Sequence, residues 1–282
     1  MSRVMEIVSS RKFQTRLISG IALVILAILV LGRGGLPLFL TMMAVSLIGL
    51  FELYRVVRME RELLGLIGYL GGLSYYLLLW NNIGRYGMPV MIGVLMALMA
   101  VFVITYPRYR TEQIAVGLMG ILYTVVMFSY VYRVREMHDG KYLVWMIFIS
   151  SWGCDTCAYV VGMLFGRHHF APVLSPKKTV EGSIGGVIGA GLLGLIYGLL
   201  LGDQMEELLH AGFACFFACA IGALISQIGD LAASAIKRDH EVKDYGTLIP
   251  GHGGVLDRFD SLLFTAPAIS FALYLYRLFG GL

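Results

Sequence analysis

Long apolar stretches, separated by short polar segments, run the length of the chain. Crossing a hydrocarbon core takes about 20 mostly apolar residues in a helix. Nine stretches reach or approach that length, at roughly 17–32, 36–54, 63–80, 88–106, 114–132, 142–165, 180–201, 211–236 and 261–280. The pattern predicts an all-α, polytopic integral membrane protein of about nine transmembrane helices. Arg11, Lys12 and Arg16 precede the first stretch like the basic start of a signal peptide. No small-residue cleavage site follows, so it is kept as a span. Residues 1–16 read as an interfacial helix, with Val4, Ile7 and Val8 on one side.

Composition agrees with the pattern. Of 282 residues, 58% are hydrophobic and 14% charged, against about 45–50% and 25% in soluble domains. The net charge of +4 is too small to argue for nucleic acid. The placement of the basic residues says more. With nine spans and the N-terminus inside, 16 Lys and Arg fall in inner segments and 6 in outer ones. This bias predicts a cytoplasmic N-terminus and an outside C-terminus. The four cysteines, Cys154, Cys157, Cys215 and Cys219, all lie in apolar stretches and read as small buried hydrophobes.

Polar chemistry crowds the second half. One continuous membrane domain is expected, with an N-terminal scaffold of about five helices over 1–140 and a catalytic region of about four over 141–282. Asp230 interrupts the eighth stretch, where a charge is costly. Ser226, Asp230, Ser234 and Lys237 follow at spacings of 4, 4 and 3, so they form one stripe. That stripe admits an Asp230–Lys237 ion pair or an aqueous pocket. Asp155, with Ser151 and Tyr159 on its face, admits a buried hydrogen-bonded carboxylate or a functional one. The seventh stretch opens with Ser175, Lys177, Lys178, Thr179 and Glu181. Thr179 is a natural N-cap and Glu181 suits a first turn. Lysines beside a helix N-terminus suit phosphate, although ordinary positive-inside anchoring explains them too.

Residues 234–261 mix both signs of charge with glycine. Asp257 and Asp260, three apart, stand at the start of the last span among Lys237, Arg238, Lys243 and Arg258. Carboxylates suit a hard divalent ion, and cations beside it suit phosphate. The stretch reads Ser234-x-Ile236-Lys237-Arg238, four residues, Lys243-Asp244-x-Gly246-x-x-Ile249-Pro250-x-His252-Gly253-Gly254-Val255-x-Asp257-Arg258-Phe259-Asp260.

This pattern resembles the signature of the phosphatidate cytidylyltransferases, or CDP-diacylglycerol synthases. The segments 151–166, 174–182 and 227–230 resemble the family as well. The first five stretches match it only in being apolar and multiple. The resemblance implies a transferase of phospholipid biosynthesis, in which CTP and phosphatidic acid give CDP-diacylglycerol and pyrophosphate. It implies magnesium, with a second cation left open. Asp230 and Asp257 match the family's metal-binding aspartates. Lys237, Arg238, Lys243 and Asp260 are carried over with them as catalytic. Ser175, Lys177, Lys178, Thr179, Glu181, Lys237, Arg238, His252, Gly253, Gly254 and Arg258 are carried over as substrate-binding. The implied partners are the two substrates and the lipid bilayer, with no nucleic acid and a homodimer left open. The implied place is the bacterial cytoplasmic (inner) membrane, with the site on the cytoplasmic side. A CTP-dependent lipid or polyprenol kinase would need similar groups. An anionic-substrate transporter would also place charge in the membrane.

Overall fold

The computed structural model describes residues 11–83, 86–206 and 208–279, and the side chains of residues 11–17 and 279 are not described. The interfacial helix expected over residues 1–16 lies largely outside these residues. Every regular element among them is a helix. Eight helices are long and apolar enough to cross a membrane, beginning with Gly35–Val56. The stretch expected at 17–32 is part of a further helix, Arg11–Arg33, whose apolar portion Ile18–Arg33 is shorter.

The chain forms two compact units. The first runs through residue 125 and takes in 240–259; the second comprises 126–239 and 260 onward. In the first unit lie α1 (Arg11–Arg33), α2 (Gly35–Val56), α3 (Leu63–Trp80), α4 (Gly87–Ile104) and α5 (Thr111–Gly120). Several hydroxyls of this unit are satisfied within the helices or between them, as an apolar solvent demands. Ser46 meets Tyr76 at 2.7 Å, Tyr54 donates to the Gly117 carbonyl at 2.6 Å, and Thr124 donates to Gly120. A Cβ on Gly68 would collide with the Tyr54 ring, so the bare face of α3 makes room for that tyrosine.

A π-helical stretch, Ile121–Val126, carries the chain into α6 (Met127–Arg135). The second unit continues with two short helices, α7 (Gly140–Leu143) and α8 (Trp145–Phe148), and a π-helical stretch, Ile149–Gly153. Then come α9 (Cys154–Phe165), α10 (Val180–Leu201) and α11 (Ala211–Asp239). The final helix, α12, is Leu256–Phe279. Small residues set the spacing between α9, α10 and α11. A Cβ on Gly186 would fall 2.9 Å from the Cys154 sulfur, and one on Gly194 would fall 2.8 Å from that of Cys219. Cys154, Cys215 and Cys219 are buried and unpaired as thiols, filling these contacts as small hydrophobes. Outward-facing Leu199, Leu200, Met163 and Phe217 are exposed, as lipid-facing side chains are.

Candidate functional site

In the first unit the segment 240–259 folds into a tight polar loop. The Ile249 N–H donates to the Gly253 carbonyl at 2.8 Å, and the His252 N–H donates to Ile249 at 2.9 Å. This hairpin needs Gly251 at φ 76° and Gly253 at φ 88°, backbone that side chains with a Cβ rarely adopt. The loop lines a cleft of about 630 Å³ with Lys243, Asp244, Thr247, His252, Gly253 and Arg258 among its walls. Lys243 and Arg258 are exposed at it. Gly254, also predicted from sequence, is buried behind it.

Asp257 is 5% exposed. Its Oδ2 accepts the Tyr245 N–H at 2.8 Å and the Gly254 N–H at 3.0 Å. The carboxylate therefore organises the loop that the sequence assigned to substrate. Both of these bonds fall on Oδ2.

Two residues of the predicted scaffold touch this loop. Ser19 donates to the Pro250 carbonyl at 3.2 Å and lies 2.8 Å from His252 Nδ1. Which of the two, Ser19 or Nδ1, supplies the proton follows from the imidazole tautomer. Glu52, on α2, accepts the Val255 N–H at 3.0 Å and the Leu256 N–H at 2.8 Å. A carboxylate in the second apolar stretch was the one sequence signal that could have found it.

The second unit carries its own polar cleft of about 310 Å³. Asp155, Tyr159, Lys177, Lys178, Thr179, Ser183 and Gln227 line it. Lys178 Nζ lies 2.5 Å from Asp230 Oδ2. Asp155 sits within electrostatic reach of both. Of the two partners that sequence offered Asp230, a lysine on its own helix or a polar pocket, the geometry gives a pocket-lining lysine from before α10. Ser226, one turn earlier on the stripe, is 1% exposed, so the stripe opens only from Asp230 onward. Gln227 donates to the Ser183 carbonyl at 2.9 Å and ties α11 to α10.

Thr179 caps α10 as expected, accepting the Gly182 N–H at 3.2 Å. Glu181 accepts from the Arg167 and His168 N–H groups and meets His168 Nδ1 at 2.5 Å. It braces the loop before α10 and is not among the residues lining the cleft. Ser175 holds the same loop by its backbone, donating to Ala171 and accepting from Lys178. Lys237 and Arg238 close the last turn of α11. Asp260 accepts its neighbour's Ser261 N–H at 2.8 Å, and its backbone packs on Gly229. Asp230 and Asp260 thus belong to the second unit and Asp257 to the first.

Magnesium is typically held by one or two carboxylates plus substrate phosphates. Among the described residues no three His, Cys, Asp or Glu side chains gather into a metal-binding group. Asp155 and Asp230 both lie within reach of Lys178, and carboxylates offer the hard oxygen donors such an ion prefers. The donor set fits a divalent ion whose coordination substrate oxygens complete.

The architecture and the clefts define a polytopic helical membrane protein with paired acidic and basic side chains at its polar loops. The chain belongs to the cytidylyltransferase family, whose model matches residues 14–276. It is similar to the phosphatidate cytidylyltransferase of Staphylococcus saprophyticus subsp. saprophyticus, at 32% identity over 92% of this chain and 98% of that protein. The phosphatidate cytidylyltransferase of Staphylococcus epidermidis is 31% identical over 92% of this chain and 98% of its own. That of Bacillus subtilis is 30% identical over 93% and 97%.

Proposed function

We propose that this chain is a phosphatidate cytidylyltransferase of phospholipid biosynthesis, converting CTP and phosphatidic acid to CDP-diacylglycerol and pyrophosphate. Family membership together with the cleft of Lys243, His252 and Arg258 carries the reading. A phosphatidate oxygen attacks the α-phosphorus of CTP. The new phosphorus–oxygen bond forms as the bond to the β-phosphate's bridging oxygen breaks, and pyrophosphate leaves. The lipid phosphate is already anionic, so no protein nucleophile is needed. Lys243, His252 and Arg258 hold phosphate oxygens at one cleft. Lys177 and Lys178 serve the same chemistry at the other, where Lys178 exchanges Asp230 for a substrate phosphate. Lys237, Arg238 and Asp260 complete the set from their helix termini. Asp230 and Asp257, each in its own unit, are the carboxylates that would hold magnesium together with substrate oxygens, and the metal would supply neutralisation of charge on the phosphates.

The family relatives named above are bacterial, which supports the cytoplasmic membrane as the location. The excess of basic residues on the inner segments supports a site on the cytoplasmic side, where CTP is found. The test is purified protein with radiolabelled CTP, phosphatidic acid and magnesium. CDP-diacylglycerol with pyrophosphate is expected. Release of CDP would establish a kinase, and no turnover beside anion uptake into vesicles would establish a transporter.

A further inference from the structure

Glu52 has no place in the chemistry just described, yet its carboxylate is 3% exposed within an apolar helix. A buried charge persists only where it is hydrogen-bonded. Both oxygens of Glu52 serve one target. Oε1 accepts the Val255 N–H at 3.0 Å and Oε2 the Leu256 N–H at 2.8 Å. These amides open α12 and have no partner inside the helix. The helix dipole favours an anion at the same point.

The loop is shaped around this carboxylate. A Cβ on Gly246 would collide with Oε1, and one on Gly254 would lie 2.5 Å from Oε2. The neighbouring amide, Gly254 N–H, goes to Asp257 at 3.0 Å. Three consecutive amides, 254–256, are therefore all taken by carboxylates of the protein itself. A helix N-terminus after a glycine turn is a ready anion site, and here the anion comes from α2.

We propose that Glu52 is a positioning residue. It fixes the 244–257 loop and fills the start of α12 as an internal anion, so substrate phosphates are gripped by the Lys243, His252 and Arg258 side chains and not by backbone amides. This rests on the nucleotidyl-transfer reading above.

Glu52→Gln tests it. Glutamine offers one oxygen acceptor and turns an NH2 toward an amide donor. Two measurements are made on detergent-purified, monodisperse protein. The first is hydrogen–deuterium exchange without substrate, where the amides 254–256 are expected to exchange at least about tenfold faster than in wild type. The second is steady-state kinetics, where the KM for CTP is expected to rise about tenfold or more with a smaller change in kcat. Glu52→Asp keeps the charge on a shorter arm and is expected to restore part of the KM. Glu62→Gln, at the Arg108–Tyr109 contact, is the control and is expected to keep wild-type kinetics. If Glu52→Gln does not yield folded protein, Glu52→Asp carries the test with a KM rise of about threefold as the threshold. Unchanged exchange at 254–256, or an unchanged KM with activity lost only in proportion to unfolded protein, would overturn the role. Failure of wild-type turnover would instead overturn the reaction, and the exchange result would still stand or fall by itself.

Discussion

Around residues 244–257, in the first unit, carboxylates bind backbone. Asp257 and Glu52 take four N–H groups between them, and both side chains are buried. At Lys178 and Asp230, in the second unit, side chain binds side chain, with 23% and 29% of each exposed. The difference is one of rigidity. A buried carboxylate on amides fixes backbone and is costly to undo, because each orphaned amide loses about 1–3 kcal/mol. A partly exposed ion pair holds little energy, about 0–1 kcal/mol, and its lysine is free to exchange one anion for another. The first unit thus supplies a fixed frame for charged side chains, and the second supplies charges that can regroup around a ligand.

The largest effect that this contrast predicts is at Asp257. Asparagine keeps an oxygen able to accept both the Tyr245 and Gly254 amides while removing the charge. Asp257→Asn should therefore purify folded, with a melting temperature within a few degrees of wild type. If Asp257 holds magnesium, the variant's turnover should fall about a thousandfold or more, since metal-assisted charge neutralisation contributes several kcal/mol at about 1.4 kcal/mol per factor of ten. Asp257→Ala should lose stability as well. Near-wild-type turnover in the asparagine variant would reduce Asp257 to a loop brace.

Asp230→Asn comes next. Its carboxylate pairs with a partly exposed lysine, so stability should change by about 1 kcal/mol or less. If Asp230 holds magnesium, the rate should fall about a hundredfold, and half-saturation should need several times more magnesium. A magnesium titration of initial rates beside wild type decides it. An unchanged half-saturating concentration with a mild loss would leave Asp230 as the counter-ion of Lys178.

Lys178→Met should cost about tenfold in kcat/KM for CTP, carried mostly by KM, with thermal stability close to wild type. The loss should shrink as salt rises, because screening weakens what the lysine contributes. A fall in kcat alone, with KM constant, would move Lys178 from substrate holding to the chemical step.

Much of this arrangement was legible in the sequence. Apolar run length gave the helical class, because lipid admits few other solutions. The glycines of 246–254 and the aspartate in the eighth stretch marked both clefts, because left-handed backbone and intramembrane charge each need a reason. Glu52 and Ser19 were not found. Their partners are more than 200 residues away in the chain, and no periodicity reports a contact between a helix and a distant loop. The partner of Asp230 was open for the same reason: helical spacing offered Lys237, and only tertiary packing brings Lys178 to it.

Glu181 carries the smallest expected effect. Its position in a first turn beside two lysines made it a substrate-binding candidate. Its carboxylate instead accepts the Arg167 and His168 amides and meets the His168 ring, which closes the loop preceding α10. The Thr179 cap at the same helix start does not depend on it. The side chain is only 27% exposed, yet glutamine retains an oxygen for the backbone amides and loses only the imidazole pairing. Glu181→Gln should therefore change kcat/KM for CTP and for phosphatidic acid by less than about threefold. A loss beyond tenfold in either, in folded protein, would place Glu181 at the substrate and show that this loop rearranges when substrate binds.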